Sequence, residues 1–142
     1  MPVAAKPHIV AGMPMYNEEE TIGSVVTRAL RYVDEVICID DGSSDASARI
    51  AEACGATVIR HRVNRGYGGA LKTLFLRASD LEVDALVLLD SDGQHETSDI
   101  PKLLKPILDG EADFAIGSRF VDGGGGTDMP AYRRLGIKVI TA

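Results

Sequence analysis

Residues 35–45 read EVICIDDGSSD. A continuous apolar, β-branched run that ends on two carboxylates and a Gly-Ser-Ser turn reads as a strand buried on both faces that leaves its carboxyl end into a helix. Strands of that kind belong to parallel sheets, because the crossover helices cover both faces. The same alternation extends in both directions. Upstream, HIVAGMP (8–14) is a short apolar run stopping at Pro14, after which Asn17 and Glu20 have the spacing of a capping box. Ile22, Val25, Val26, Ala29, Leu30 and Val33 then fall on one helical face. Downstream come a helix over about 45–54 closed by Gly55, the strand TVIRHR (57–62), a helix over 68–81 and the strand ALVLLD (85–90). Ile100, Leu103, Leu104, Ile107 and Leu108 mark a further helix, in which Pro106 predicts a kink or an early end. FAIGS (114–118) is predicted as a fifth strand, followed by four consecutive glycines at 123–126 and a last apolar-periodic piece from Tyr132. This pattern predicts an α/β doubly wound fold: a mostly parallel central sheet, helices on both faces, one domain over 1–142. The strand order is not legible at this level.

With 142 residues, 45% hydrophobic and 25% charged, the chain has the composition of a packed globular domain and not of a disordered or low-complexity one. A formal net charge of -6 and the absence of Trp argue against a nucleic-acid partner. No apolar stretch is long enough to cross a bilayer, and the opening MPVAAKPHIV lacks the apolar segment of a signal peptide. Cys38 and Cys54 offer neither metal spacing nor a disulfide framework, so reduced thiols in a cytosolic setting are expected.

In open parallel sheets ligands bind outside the carboxyl ends of the strands. The five predicted exits read MYNEEE, DDGSSD, NRGYGG, DSDGQH and SRF, all polar and none a generic linker. At the first, Asn17 suits a helix cap, whereas Tyr16 can stack on a nucleobase beside a carboxylate that accepts from base N–H groups. At the second, Asp40 closes an apolar strand, where an unneeded charge costs desolvation, so Asp40 or Asp41 is a candidate for function. Ser43 or Ser44 reads as an ordinary cap.

Asp90 and Asp92 stand two apart at the end of the most apolar strand, and in extended geometry their side chains point the same way. Two hard oxygen ligands suit Mg²⁺ or Mn²⁺, which bind through one or two carboxylates plus substrate phosphates. The plain alternative is a solvated Asp-Gly turn. If a phosphate binds there the cation is favoured, since like unit charges at 4 Å repel by about 4 kcal/mol at an effective dielectric of 20. His95 is either a further ligand or a structural loop residue. In NRGYGG, Gly66, Gly68 and Gly69 either let backbone N–H groups approach an anion or merely permit tight turning. The loop matches neither the dinucleotide GxGxxG nor the P-loop pattern. Arg119, Arg133 and Arg134 flank the glycine run, and guanidinium forks there suit an anion held under a lid.

Taken together, PMYNEEETI, VICIDDGSSDAS, NRGYGGALK, LLDSDGQHE and IGSRF stand in the order and spacing of one family. The chain resembles the family 2 glycosyltransferases of GT-A fold, the Rossmann-like nucleotide-sugar domain, and among them the dolichol-phosphate or polyprenyl-phosphate mannosyl and glucosyl transferases. The resemblance implies a nucleoside pocket lined by Pro14, Tyr16, Glu18 and one of Asp40 or Asp41, with Gly66 in the adjoining loop. It implies Asp90 and Asp92 as the DxD pair for metal and diphosphate, Gln94 beside sugar and metal, and Arg119 and Arg133 on the acceptor phosphate. Asp92, Gln94, Arg119 and Arg133 would then carry the catalytic roles. The implied partners are a nucleotide-sugar donor of the GDP-mannose or UDP-glucose type, Mg²⁺ or Mn²⁺, and a polyprenyl or dolichyl phosphate acceptor. The implied reaction is transfer with inversion. An ionised lipid phosphate needs no general base, whereas a hydroxyl acceptor would need a carboxylate that other members carry further along the chain.

Two departures stand out: the family usually has a smaller residue where Leu74 stands, and its members are longer than this chain. The expectation is a fragment whose missing part would hold the rest of the acceptor site and the membrane-contacting helices. The full-length protein is then placed at the cytoplasmic face of a membrane. Three rival readings exist. A donor-binding domain without transfer activity stays open. A nucleotidyltransferase would want a Gly-rich basic loop after the first strand, where MYNEEE stands instead. A receiver domain would want its acidic cluster after the first strand and its phosphoacceptor after the third, whereas here the carboxylates follow the second and fourth.

Overall fold

The structure is a computed structural model that describes residues 4–117. Its elements in chain order are β1 (Ile9–Met15), α1 (Ile22–Ala29), β2 (Glu35–Asp40), α2 (Ser47–Ala53), β3 (Thr57–Arg60), α3 (Gly66–Asp80), β4 (Ala85–Leu88), a 3-10 turn (Thr97–Asp99) and α4 (Ile100–Leu108). The four strands pair in the order β3-β2-β1-β4, all parallel. The order reverses between β1 and β4. A crevice therefore opens there, outside the carboxyl ends.

Side-chain alternation divides β1 between two cores. Ile9, Ala11, Met13 and Met15 join Ile22, Val25, Val26 and Ala29 of α1, Ala48 and Ala51 of α2 and Ile100 and Leu104 of α4 on one face. Val10 joins Ile37 and Ile39 of β2 and Ala70 and Leu74 of α3 on the other. With both faces covered, β1 has no need of polar residues and its sequence, IVAGMPM, contains none. Gly12 is required by a close approach. A Cβ placed there would lie 2.3 Å from Leu74 Cδ2 and 2.9 Å from Leu74 Cγ. Leu74, the larger residue noted in the sequence, occupies the space that a side chain at position 12 would need.

Several expectations are corrected. Asn17 and Glu20 do not form a capping box: α1 starts after Thr21, whose side chain makes no cap bond. Asn17 instead takes a left-handed conformation (φ 51°), which asparagine tolerates, and its Oδ1 accepts from Ser44 N–H at 2.9 Å. The pull of the neighbouring loop outcompetes the local cap. Ser43 is no helix cap either, since its Oγ accepts from Asn17 N–H at 2.9 Å. Finally, FAIGS is not a strand over residues 114–117. Phe114 and Ile116 are 76% and 46% exposed, and β4 pairs along its β1 side. A strand exists only where its backbone groups meet a neighbour's, which apolar sequence alone does not supply. The early end expected at Pro106 is not found: α4 continues through Pro106 to Leu108, the last residue of the predicted periodicity.

Candidate functional site

At the reversal point lies a cleft of about 320 Å³, in the size range of small-molecule sites. Its walls come from four segments: Pro14 and Met15 at the end of β1 with Tyr16 and Glu18 just beyond, Asp41 after β2, Asn64, Gly66, Tyr67 and Ala70 around the start of α3, and Asp90, Ser91 and Asp92 after β4. Seven expected site residues, Pro14, Tyr16, Glu18, Asp41, Gly66, Asp90 and Asp92, thus meet in one place. Asp40 and Gln94 do not line it, and Arg119 and Arg133 lie outside the described residues. A hollow of about 480 Å³, bounded by Gly42, Ser43, Arg60, His61 and Arg62, shares none of these residues.

The first two loops are stitched to each other. Besides the bonds of Asn17, Glu18 N–H donates to Ser47 Oγ at 2.7 Å, Ala46 N–H donates to Glu19 at 2.9 Å and Glu19 N–H donates to Asp45 at 3.2 Å. The serines and acids of DDGSSD beyond Asp41 therefore hold the β1 loop in shape and leave Tyr16, 51% exposed, standing in the cleft.

The adjacent acids after β2 face different ways, as successive residues of an extended chain must. Asp40 is fully buried. One of its oxygens accepts from Ser43 N–H at 2.9 Å, and the other lies 3.1 Å from Arg60 Nε, off the direction of the N–H, so this ion pair lacks a hydrogen bond. Asp41 turns to the cleft. Its Oδ1 accepts from Arg65 N–H at 2.8 Å and lies 2.8 Å from His61 Nδ1. Burial would raise its pKa, but the bonds from His61 and from the Arg65 and Gly66 amides outweigh burial and hold the carboxyl below the usual carboxylate range. Asp41 is thus an ionised, acceptor-only group.

Asp90 and Asp92 do not sit on an extended strand as expected. β4 ends at Leu88, and residues 91–92 form a turn in which Gly93 has φ +79° and Asp92 Oδ1 accepts from Gln94 N–H at 2.9 Å. An Asp side chain that bonds its own backbone two residues on closes such a turn in preference to continuing a strand. Thr21 Oγ1 donates to Ser91 O at 2.7 Å and ties this turn to the start of α1. His95 is accounted for within the loop: its Nδ1 accepts from Asp90 N–H at 3.1 Å, which leaves the proton on Nε2, 3.5 Å from Asp90 Oδ2. Among the described residues no three His, Cys, Asp or Glu side chains could jointly hold a metal. Asp90 and Asp92 both line the cleft and offer two hard carboxylates there. That fits a hydrated Mg²⁺ or Mn²⁺ completed by substrate phosphates and does not fit a cation caged by protein ligands.

Sequence reasoning missed Tyr67 and Asn64 as cleft residues. Burial and then the Asp90 charge raise the Tyr67 pKa, so its phenol is a neutral donor on the wall beside Asp90. The signal is present in NRGYGG, in the aromatic that stands between the glycines.

Similarity to known proteins agrees with this geometry. The family model for glycosyl transferase family 2 matches residues 11–140. A dolichol-phosphate mannosyltransferase of Pyrococcus furiosus is 36% identical over 131 residues, covering 87% of this chain and 36% of that protein. A dolichyl-phosphate hexose transferase of Haloferax volcanii is 39% identical over 127 residues, covering 87% and 52%. Glucosyl-3-phosphoglycerate synthase of Mycobacterium tuberculosis, solved with Mn²⁺, UDP-glucose and phosphoglyceric acid, superposes with a TM-score of 0.63 at 33% identity, covering 75% of this chain and 41% of that one. The chain thus spans about a third to a half of the length of these proteins. A parallel α/β sheet with a polar cleft at its reversal point, matched by the family model over nearly all of its length, makes this chain a member of glycosyl transferase family 2.

Proposed function

We propose that this chain forms the donor-binding part of an inverting hexosyltransferase that uses a nucleotide sugar, of the GDP-mannose or UDP-glucose type, and a polyprenyl or dolichyl phosphate acceptor. One observation carries the reading: three separate loops bring an aromatic, an ionised buried carboxylate and two open carboxylates to a single cleft. Tyr16 stacks on the base. Asp41, fixed as an acceptor, takes a base N–H, which favours guanine or uracil over bases presenting a lone pair at that edge. Asp90 and Asp92 hold the divalent cation, which when bound neutralises the donor diphosphate and the charge on the leaving phosphate. Tyr67 donates from beside Asp90.

For the acceptor, Arg119 and Arg133 aim an already ionised phosphate at the anomeric carbon, so orientation replaces general-base catalysis. The relatives named for dolichyl-phosphate transfer support this choice. Among the described residues no helix is long and apolar enough to cross a membrane. A dolichyl phosphate acceptor would be met at the surface of a membrane, on its cytoplasmic face. A second reading, a small hydroxyl acceptor, is favoured by the synthase bound to phosphoglyceric acid. Transfer of labelled mannose or glucose from GDP-mannose or UDP-glucose, with Mn²⁺, to dolichyl phosphate against 3-phosphoglycerate separates the two. Label in neither product, with intact donor binding, would leave a donor-binding domain without transfer activity.

A further inference from the structure

The carboxylate that faces the base does not stand alone. Asp41, His61 and Thr73 come from three elements, the ends of β2 and β3 and the second turn of α3, and make one buried chain of hydrogen bonds. His61 Nδ1 lies 2.8 Å from Asp41 Oδ1, His61 Nε2 lies 2.8 Å from Thr73 Oγ1, and Thr73 Oγ1 lies 3.2 Å from Gly69 O. Asp41 is 4% and His61 6% exposed. The backbone fixes the histidine as well, because His61 N–H donates to Asp40 O at 2.8 Å.

We infer that His61 and Thr73 are positioning residues that set the orientation of the Asp41 carboxylate toward the nucleobase. The inference rests on the donor-site reading above. An ionised Asp41 can only accept, so the proton between the two residues sits on His61 Nδ1. The bonds from His61 and from Arg65 N–H both land on Oδ1. Together with the Gly66 amide they resist rotation of a carboxylate that lines the cleft. Nε2 of a neutral ring then accepts from the Thr73 hydroxyl. Holding an acidic group in one orientation by a neighbour that is itself oriented is how second partners tune a binding group, and a carboxylate free to rotate discriminates poorly between donors and acceptors on a base edge.

The test uses calorimetry on the full chain with MnCl₂ and three probes: UDP, GDP and inorganic pyrophosphate, which lacks a base. His61→Phe keeps the ring and removes the donor. The expected result is about a tenfold loss of affinity for whichever nucleotide the unaltered chain binds, the size of one charge-assisted hydrogen bond, with pyrophosphate affinity unchanged. His61→Asn, whose amide nitrogen can replace Nδ1, recovers most of the loss. Thr73→Val, nearly isosteric, gives about a threefold loss confined to the nucleotide, and stands in should His61→Phe fail to fold. Unchanged nucleotide affinity in the folded variants, an equal loss for nucleotide and pyrophosphate, or no rescue by asparagine overturns the inference. Failure of the unaltered chain to bind either nucleotide overturns the donor-site reading itself.

Discussion

Substituting Gly12 by Ala places a methyl group inside Leu74. The added Cβ would meet Cδ2 at 2.3 Å, Cδ1 at 2.6 Å and Cγ at 2.9 Å of a side chain that is fully buried. Because Cγ itself is in the way, turning the isopropyl end alone gives no relief, and either Leu74 leaves its χ1 rotamer within a buried site or α3 shifts from the sheet. Overpacking of this kind costs about 1–3 kcal/mol. Replacing glycine by alanine restricts the unfolded chain and returns about 0.4–1 kcal/mol, so a net loss of about 1–2 kcal/mol is expected. Leu74→Ala alone opens a cavity and costs about 2–5 kcal/mol. In that background the Gly12→Ala methyl enters vacated space, and the substitution should become neutral or stabilising, a coupling of about 1–3 kcal/mol. Urea unfolding followed by circular dichroism measures all four corners of the cycle, the chain having no Trp to report. Since the first turn of α3 carries Gly66, Tyr67 and Ala70 of the cleft, Gly12→Ala should weaken nucleotide binding as well and the double variant should restore it. An equal penalty for Gly12→Ala in both backgrounds, within about 0.5 kcal/mol, would refute the steric account.

Asp92→Ala should lower Mn²⁺-dependent UDP or GDP affinity by at least about 100-fold, more than outer partners of a metal account for, while the far-ultraviolet spectrum stays intact; unchanged affinity by calorimetry sinks the metal assignment. Arg133→Ala should spare donor binding and slow transfer to a lipid phosphate, and parallel loss of both would remove its dedicated acceptor role. Cys38, buried in β2, has its thiol pushed up to about 12 by burial and then by the Asp40 charge. The unfolded thiol ionises near 9 while the native one stays protonated, so this contribution is complete below pH 9 and fades as pH rises toward 12, by about 1.4 kcal/mol per pH unit. Urea titrations at pH 8 and 10 should show that fall, and Cys38→Ala should flatten it. In native protein at pH 8, iodoacetamide should label the partly exposed Cys54 before Cys38, as peptide mass spectrometry would report.

What the amino-acid order determined here is whatever repeats within a few residues. The period of α1 from Ile22 to Ala29 and the unbroken apolar runs of β1 and β2 are local patterns that packing did not overrule, and they are enough for a parallel α/β fold. The polar strand exits likewise marked where a ligand would bind, because a doubly wound sheet leaves no other place for them. Tertiary structure decided the matters that turn on distance along the chain. Asn17 surrendered its cap to Ser44, 27 residues away, and the apolar FAIGS stretch is unpaired over residues 114–117. Which of Asp40 and Asp41 looks into the cleft follows from the pleat and from Arg60 and His61 on the neighbouring strand, not from the residues themselves. His61 and Thr73 carried no motif at all. They acquire meaning because α3 packs on β1 and β2 and brings a hydroxyl within 2.8 Å of the ring. Short-range periodicity is set by backbone geometry and can be read in one dimension, whereas a hydrogen bond between distant residues depends on how the layers finally pack.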